Sequence, residues 1–238
     1  MREAVVVATI GDPADVYGVH AAEGHSRWTC LARRTGLHGG WEAVEWAWLP
    51  PGGVSGEHRH TRTEELYFVL TGAGELTLDG RPRPVAPGTT VLTATGSRHG
   101  LRTTGRTPLS WLVVELPAPR PFEETAMHAT GNLRSTVVPD LSRNGPLDAS
   151  TVLGGPLRTV RVTRLPPGAT GDFDSAGAEH TVYVTGGAGT ARAGGASVPL
   201  APGVCLTLPL GTGARLRAGA HGLEYFHAVL AVPAEEQR

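Results

Sequence analysis

The tetrapeptide Leu-Pro-Pro-Gly occurs twice in this chain, at Leu49-Pro50-Pro51-Gly52 and again at Leu165-Pro166-Pro167-Gly168. The sequence goes on echoing itself after each copy. Glu65 to Gly72 is matched by Glu179 to Gly186, Ala86-Pro87-Gly88 by Ala201-Pro202-Gly203, and Thr93-Ala94-Thr95-Gly96 by Leu208-Pro209-Leu210-Gly211. A period near 114 in a chain of 238 residues means two copies of one fold. Solenoid repeats are shorter, about 20 to 50 residues.

Within each copy, short apolar runs alternate with turns. The chain holds 33 glycines and 19 prolines, which suits many short strands and disfavours long helices. In the first half, strands are expected at 41–49, 65–71, 75–78, near 84–86, 90–94, 99–103 and 109–116, with a tight hairpin at Asp79-Gly80. The expected fold class is all-β, two barrels in tandem. The first domain is placed at 1–118 and the second at 136–238. A linker at 119–135 follows Pro117 and includes Glu123 to His128, where one helical turn is expected. The run Val5 to Ile10 is expected to add an edge strand to a neighbouring sheet, and residues 136–156 to mirror that arm.

The first half also carries a concentration of metal-binding side chains. His58 and His60 are two apart, so on a strand both leave the same face. Glu65 opens the apolar run Leu66 to Leu70, and His99 lies 34 positions beyond it. Glu64 competes with Glu65 for the acidic role; the period-2 register through Tyr67 and Val69 favours Glu65. Three imidazoles and a carboxylate suit one divalent transition metal (Fe, Mn, Ni, Zn, Co or Cu). Four protein ligands in an octahedral shell leave two positions open to water, substrate or dioxygen.

Gly52, His58, His60, Glu65 and Gly72, followed by Gly88, Gly96 and His99, resemble the two motifs of the cupin superfamily. The first motif is matched in full. The second departs at Ala94, where proline is usual, and at Thr103, where asparagine is usual; neither is a ligand position. The resemblance implies a pair of small double-stranded β-helix (jelly-roll) barrels, a bicupin, with His58, His60, Glu65 and His99 on a metal inside the first barrel. In the second half the corresponding positions read Asp172, Asp174 and Ala214 for the three histidines, with Glu179 kept for the glutamate. That barrel is therefore expected to be degenerate and structural. His180 and His227 are loose candidates there, and His221 falls in the turn that matches Thr107-Pro108.

The resemblance implies a metal-dependent enzyme acting on a small organic molecule. The first reading is a non-haem Fe(II) dioxygenase-type oxidoreductase. The alternatives are a non-redox cyclase, isomerase or lyase of specialised metabolism, and a non-catalytic ligand-binding cupin. Trp46 and Trp48 share one face of the strand at 41–49, and with Tyr67 they are expected to wall an aromatic substrate pocket beside the metal. No catalytic base is evident; Glu64 and Glu45 are the candidates.

Composition narrows the partners. The net charge is −1, so nothing points to nucleic acid or an anionic membrane. The chain has no lysine, which excludes Schiff-base, pyridoxal-phosphate and Walker-type chemistry. Cys30 and Cys205 fall in different domains and are expected to be free thiols. His20, His25 and His38 lack a ligand spacing and are expected to be surface or structural. With an N-terminal apolar run too short for a signal peptide and no stretch long enough for a membrane span, the expected location is the cytoplasm. Edge strands and aromatic strand faces suggest a homodimer.

Overall fold

The computed structural model describes residues 4–18, 24–35, 37–122 and 135–232. His20 and the helical turn expected at 123–128 lie outside them. The N-terminal arm carries β1 (Val6–Thr9), β2 (Ala14–Tyr17) and β3 (His25–Arg33). The first barrel continues through β4 (Ala43–Leu49), β5 (Val54–Arg59), β6 (Thr63–Thr71), β7 (Gly74–Leu78), β8 (Arg81–Val85), β9 (Thr90–Thr93), β10 (Arg98–Thr103) and β11 (Leu109–Pro117). Then come β12 (Ser135–Val138), a single helical turn α1 (Leu141–Asn144) and β13 (Leu147–Asp148). The second barrel has β14 (Leu157–Leu165), β15 (Thr170–Asp174), β16 (Ala178–Ala193), β17 (Ala196–Leu200), β18 (Val204–Leu208) and β19 (Gly213–Ala231).

The first barrel closes from a four-stranded sheet, β5-β10-β7-β8, and a seven-stranded one, β12-β9-β6-β11-β4-β3-β2. In the second barrel β16 and β19 run unbroken through what are β6–β7 and β10–β11 in the first, so one eight-stranded sheet serves. The Asp79-Gly80 hairpin forms as expected, both residues having positive φ, 49° and 74°. Pro82 and Pro84 sit on β8, at the edge of its sheet, where a missing N–H removes no ladder bond.

The two domains exchange edge strands. β1 pairs antiparallel with β18 of the second barrel, and β12 pairs with β9 of the first. The N-terminal arm and the segment after the linker thus mirror each other, and neither barrel's sheet is complete within 1–118 or 136–238 alone. Two buried glutamates clamp the same exchange. Glu64 accepts the N–H groups of Gly154 and Gly155, at 3.0 and 2.8 Å. Glu179 accepts those of His38 and Gly39 (2.8 and 2.7 Å), the Trp41 indole N–H and the Leu210 N–H.

The central apolar cluster lies between the barrels. Trp46, Phe68 and Leu92 meet Tyr183, Cys205 and Phe226 there, with the Phe68 and Phe226 rings stacked at 4.8 Å. Smaller clusters fill each barrel, around Tyr67, Val69, Leu76 and Trp111 in the first and Phe173, Val182, Leu216 and Tyr225 in the second. Because β6 is buried on both faces, Leu66 to Leu70 reads as an apolar run without alternation. Cys30 and Cys205 are free thiols. No helix among the described residues is long and apolar enough to cross a membrane.

The backbone also aligns the repeats. Gly72 and Gly187, both of positive φ, press on Pro108–Leu109 and Gly222–Leu223; a Cβ would lie 2.2 and 2.3 Å from a carbonyl oxygen. Gly72 therefore corresponds to Gly187, and Leu109 to Leu223. Leu109 pairs with Leu49 and Leu223 with Leu165, so Glu45 corresponds to Arg161. His99 faces His58 across β10–β5, and Ala214 faces Phe173 across β19–β15.

Candidate metal centre

His58, His60, Glu65 and His99 converge in the first barrel, with one ligand atom from each inside a 4.8 Å group. The strand pairings explain the convergence. His58 and His60 flank the end of β5, His99 is the direct cross-strand partner of His58, and Glu65 reaches in from the opposite sheet. His60 Nε2 lies 3.2 Å from one Glu65 oxygen, and His99 Nε2 lies 2.9 Å from the other. The two Nε2 atoms of His58 and His60 are 3.0 Å apart.

The surroundings fix how the rings present themselves. His58 Nδ1 donates to the Gly56 carbonyl at 3.0 Å, which turns its Nε2 lone pair inward. His60 Nδ1 lies 2.8 Å from the Thr63 hydroxyl and 3.5 Å from a Glu115 oxygen, to the same effect. The Tyr67 hydroxyl is 3.1 Å from His99 Nε2. Glu65 is buried, its two oxygens set against the His60 and His99 rings. A buried carboxylate with three imidazoles gathered on it is the donor set of a divalent transition metal. Burial pushes the Glu65 carboxyl up, but the adjoining His99, His60 and His58 rings outweigh it and hold it down to about 2. The carboxylate is thus ionised throughout the neutral range, the state a ligand needs. The residues fit a divalent transition metal.

Glu45 faces the same interior. It is half-buried, and its carboxyl is pushed up by burial, against a hydrogen bond from Trp28, with Glu115 and Glu65 adding like charge. Glu64, the other candidate base, points to the second half of the chain and is spent on Gly154 and Gly155. Tyr67 stands beside the centre, but Trp46 and Trp48 do not. Strand alternation sends them to the outer face, where they line a cleft of about 590 Å³ between the barrels with Phe68, Tyr183, Arg164 and Glu224. The inward positions of β4 are Glu45, Ala47 and Leu49. The aromatic wall inside the barrel comes from Tyr67 and Trp111, whose rings are 6.0 Å apart. Trp111 and Glu115 were legible as candidates, since Leu109, Trp111, Val113 and Glu115 alternate along one face of β11.

The second barrel departs from the expected pairing. With the repeats aligned by backbone, His58 and His99 correspond to Phe173 and Ala214, His60 to Ser175, and Glu65 to His180. Glu179 is the counterpart of Glu64, and it clamps the N-terminal arm instead of facing the interior. Asp172 is at the surface in an ion pair with Arg215, and Asp174 accepts from the Ala176 N–H. A sequence pairing one residue out of step had exchanged outward for inward positions. His221, expected in a turn, lies instead within the unbroken β19, next to Gly222 of positive φ. Among the described residues no second group of three or more ligand side chains forms.

Residues 46–115 match the family model of the cupin domain. The matched stretch lies within the first barrel. A curated relative, the oxalate-binding protein of Thermotoga maritima, is 36% identical over 66 residues, 28% of this chain and 54% of that protein. An uncharacterised protein of Methanocaldococcus jannaschii is 33% identical over 77 residues, 32% of this chain and 61% of that protein. The chain thus spans little more than half the length of these relatives. Over both barrels it is similar in structure to the protein Ylba from E. coli, with a TM-score of 0.76, 13% identity and coverage of 98% of this chain and 93% of that one. The bacterial pirin YhhW from Escherichia coli, solved in complex with nickel(II), gives a TM-score of 0.70 at 13% identity, over 96% and 100% of the two chains. A salicylate 1,2-dioxygenase from Pseudaminobacter salicylatoxidans gives 0.63 at 16%, over 85% and 76%. At these identities the likeness is one of fold.

Proposed function

We propose that this two-barrel cupin is a metal-dependent enzyme that transforms a small organic molecule in its first barrel, with His58, His60, Glu65 and His99 holding one divalent transition metal. The observation that carries the reading is the convergence of the buried Glu65 carboxylate and three imidazoles on one point. A bound ion would supply Lewis acidity at its open positions and, as Fe(II), the electrons for dioxygen chemistry. The imidazole-rich set makes a dioxygenase-type oxidoreductase the first reading. The chain's own residues do the rest. Tyr67 and Trp111 offer flat apolar faces to a planar substrate, and the buried Trp111 indole N–H, which has no partner among the described residues, is positioned to donate to it. Thr63 and Glu115 orient His60 through its Nδ1, and the Tyr67 hydroxyl stands beside His99 Nε2 at the centre.

A second reading, non-redox proton transfer as in an isomerase, lyase or cyclase, is favoured by one observation. Glu45 faces the centre and holds its proton more tightly than an exposed glutamate does, the property of a general acid or base working near neutral pH. The test is a panel of hydroxy- and keto-acids offered to Fe(II)-loaded and Zn(II)-loaded protein, with and without oxygen. Oxygen uptake by the iron form alone supports the first reading. Turnover by both forms without oxygen, lost in Glu45→Gln, supports the second. Tight ligand binding with no turnover in either form overturns both in favour of a binding protein.

A further inference from the structure

The second barrel has no metal ligand set, yet its centre is polar in a way that reverses the first. Three carboxylates face the interior of the first barrel: Glu45, Glu65 and Glu115. At the same positions of the second stand Arg161, His180 and Val229. At those positions the second barrel carries one fixed charge, the exposed guanidinium of Arg161.

The hydrogen bonds around that guanidinium have a determined direction. Arg161 has donors and no acceptor, so its Nε donates to His227 Nδ1, at 3.2 Å. His227 Nε2 must then carry the proton, and it donates to His180 Nδ1 at 3.0 Å. His180 Nε2 in turn donates to the Asp174 carbonyl at 3.1 Å. Both imidazoles are held neutral and their lone pairs are spent, so the pair has nothing left for a metal. Their lowered basicity, from burial first and the nearby Arg161 next in His227, agrees. Among the described residues only Nε of the Arg161 fork has a hydrogen-bond partner. Among the described residues no carboxylate pairs with Arg161, whereas Arg98, Arg102, Arg164 and Arg215 each have one. The nearby Asp174 carboxylate is turned to its own loop. Phe173 packs against His227 at 5.0 Å and Tyr225 at 6.0 Å, giving an apolar floor beside the charge.

We propose that the second barrel binds a small organic carboxylate, its headgroup on the open fork of Arg161 and its body against Phe173 and Tyr225. The planar, two-pronged donor suits carboxylate and phosphate alike, and the apolar floor beside it favours an organic carboxylate over an inorganic oxyanion. The inference does not depend on the reaction assigned to the first barrel.

The test titrates chelator-treated, full-length protein with benzoate, oxalate and acetate, and with benzamide and inorganic phosphate as controls. Calorimetry should show saturable binding of at least one carboxylate. Arg161→Gln should weaken it about tenfold, and Arg161→Lys should recover part of the loss. In the wild-type protein, the ring proton signals of His180 and His227 should move while those of His58, His60 and His99 stay. Failure of all three carboxylates to bind at millimolar concentration overturns the proposal. So do binding unchanged in Arg161→Gln, ring shifts confined to the first barrel, and phosphate or benzamide binding as well as the carboxylates. If Arg161→Gln does not fold, the wild-type ring signals decide alone.

Discussion

The two barrels share a backbone and differ at its centre. Both bend at a glycine pressed on the neighbouring strand, both are clamped by a buried glutamate from the partner barrel, and both carry the same bulge in the pairing that follows. Yet one interior gathers three imidazoles and a carboxylate, and the other a phenyl ring, a serine, an imidazole and a methyl group. A barrel of this kind is held by its two-sided sheets and turns, so the few residues at its centre are free to change chemistry without cost to the fold.

The comparison breaks most sharply on metal content. Purified protein should hold about one transition-metal ion per chain, and His99→Ala or Glu65→Gln should bring that to near zero while leaving the circular dichroism unchanged. Phe173→Ala and His180→Ala should leave it at one. Elemental analysis reads the difference; metal retained in His99→Ala, or lost in His180→Ala, would place the ion in the wrong barrel.

Next come the clamps. Glu179 accepts four N–H groups and Glu64 two, all from the other half of the chain or its neighbouring turns. Replacing either by Gln keeps the shape but puts an amide against donors. Glu179→Gln should cost about 3 kcal/mol and Glu64→Gln about 2, since charge-assisted bonds contribute more than neutral ones and a donor left facing a donor pays desolvation. Chemical denaturation would rank them, and equal costs would mean that the number of donors does not set the strength of the clamp.

Much of this was legible before any coordinates. The repeated Leu-Pro-Pro-Gly, the Asp79-Gly80 hairpin and the spacing from His58 to His99 lead to two all-β barrels and one cluster of ligands. Three features were not. Trp46 and Trp48 share a strand face, but a strand buried on both sides does not say which face is inside. The true offset between repeats is 115 at Gly72, not 114, because the repeats differ in length in their turns; that one residue moved Glu179 from the wall to the centre on paper. Glu64 and Glu65 are adjacent and both buried, and only the direction of each separates a clamp from a ligand. The exchange of β1 and β12 needed the fold, since an edge strand carries no label for the sheet it joins.

The barrels should also answer pH in opposite directions. In the second, burial, Arg161 and His180 lower His227 to about 3 from an ordinary 6.5. Below 6.5 the unfolded chain takes up a proton that the folded chain refuses until about pH 3, so this group removes stability as the pH falls through that window. In the metal-free first barrel, burial lowers His60 but Glu115 and Glu65 outweigh it, so its contribution is present in acid and fades as the pH rises. His227→Gln keeps an acceptor for Arg161 and a donor for His180 while removing the titration. Its urea midpoint should fall less between pH 6 and pH 4 than that of the wild type, by the equivalent of about 2 to 3 kcal/mol.

The smallest expected effect lies at the rim of the inter-barrel cleft, where Trp48 of the first repeat corresponds to Arg164 of the second. Trp48 packs under the Arg27 guanidinium at 5.2 Å and against His25 at 5.6 Å. Arg164 instead forms an ion pair with Glu224, its side chain 66% exposed. Water screens that pair and two long side chains lose rotamer freedom to make it, so Arg164→Ala should cost no more than about 0.5 kcal/mol, less still at high salt. Trp48→Ala removes apolar contact that no solvent replaces, and should cost about 2 kcal/mol at any ionic strength. Thermal midpoints of the two variants at low and high salt read this directly. A salt-sensitive loss in Arg164→Ala as large as that of Trp48→Ala would show that the cleft is held by charge, and that the two repeats meet by different forces on their two sides.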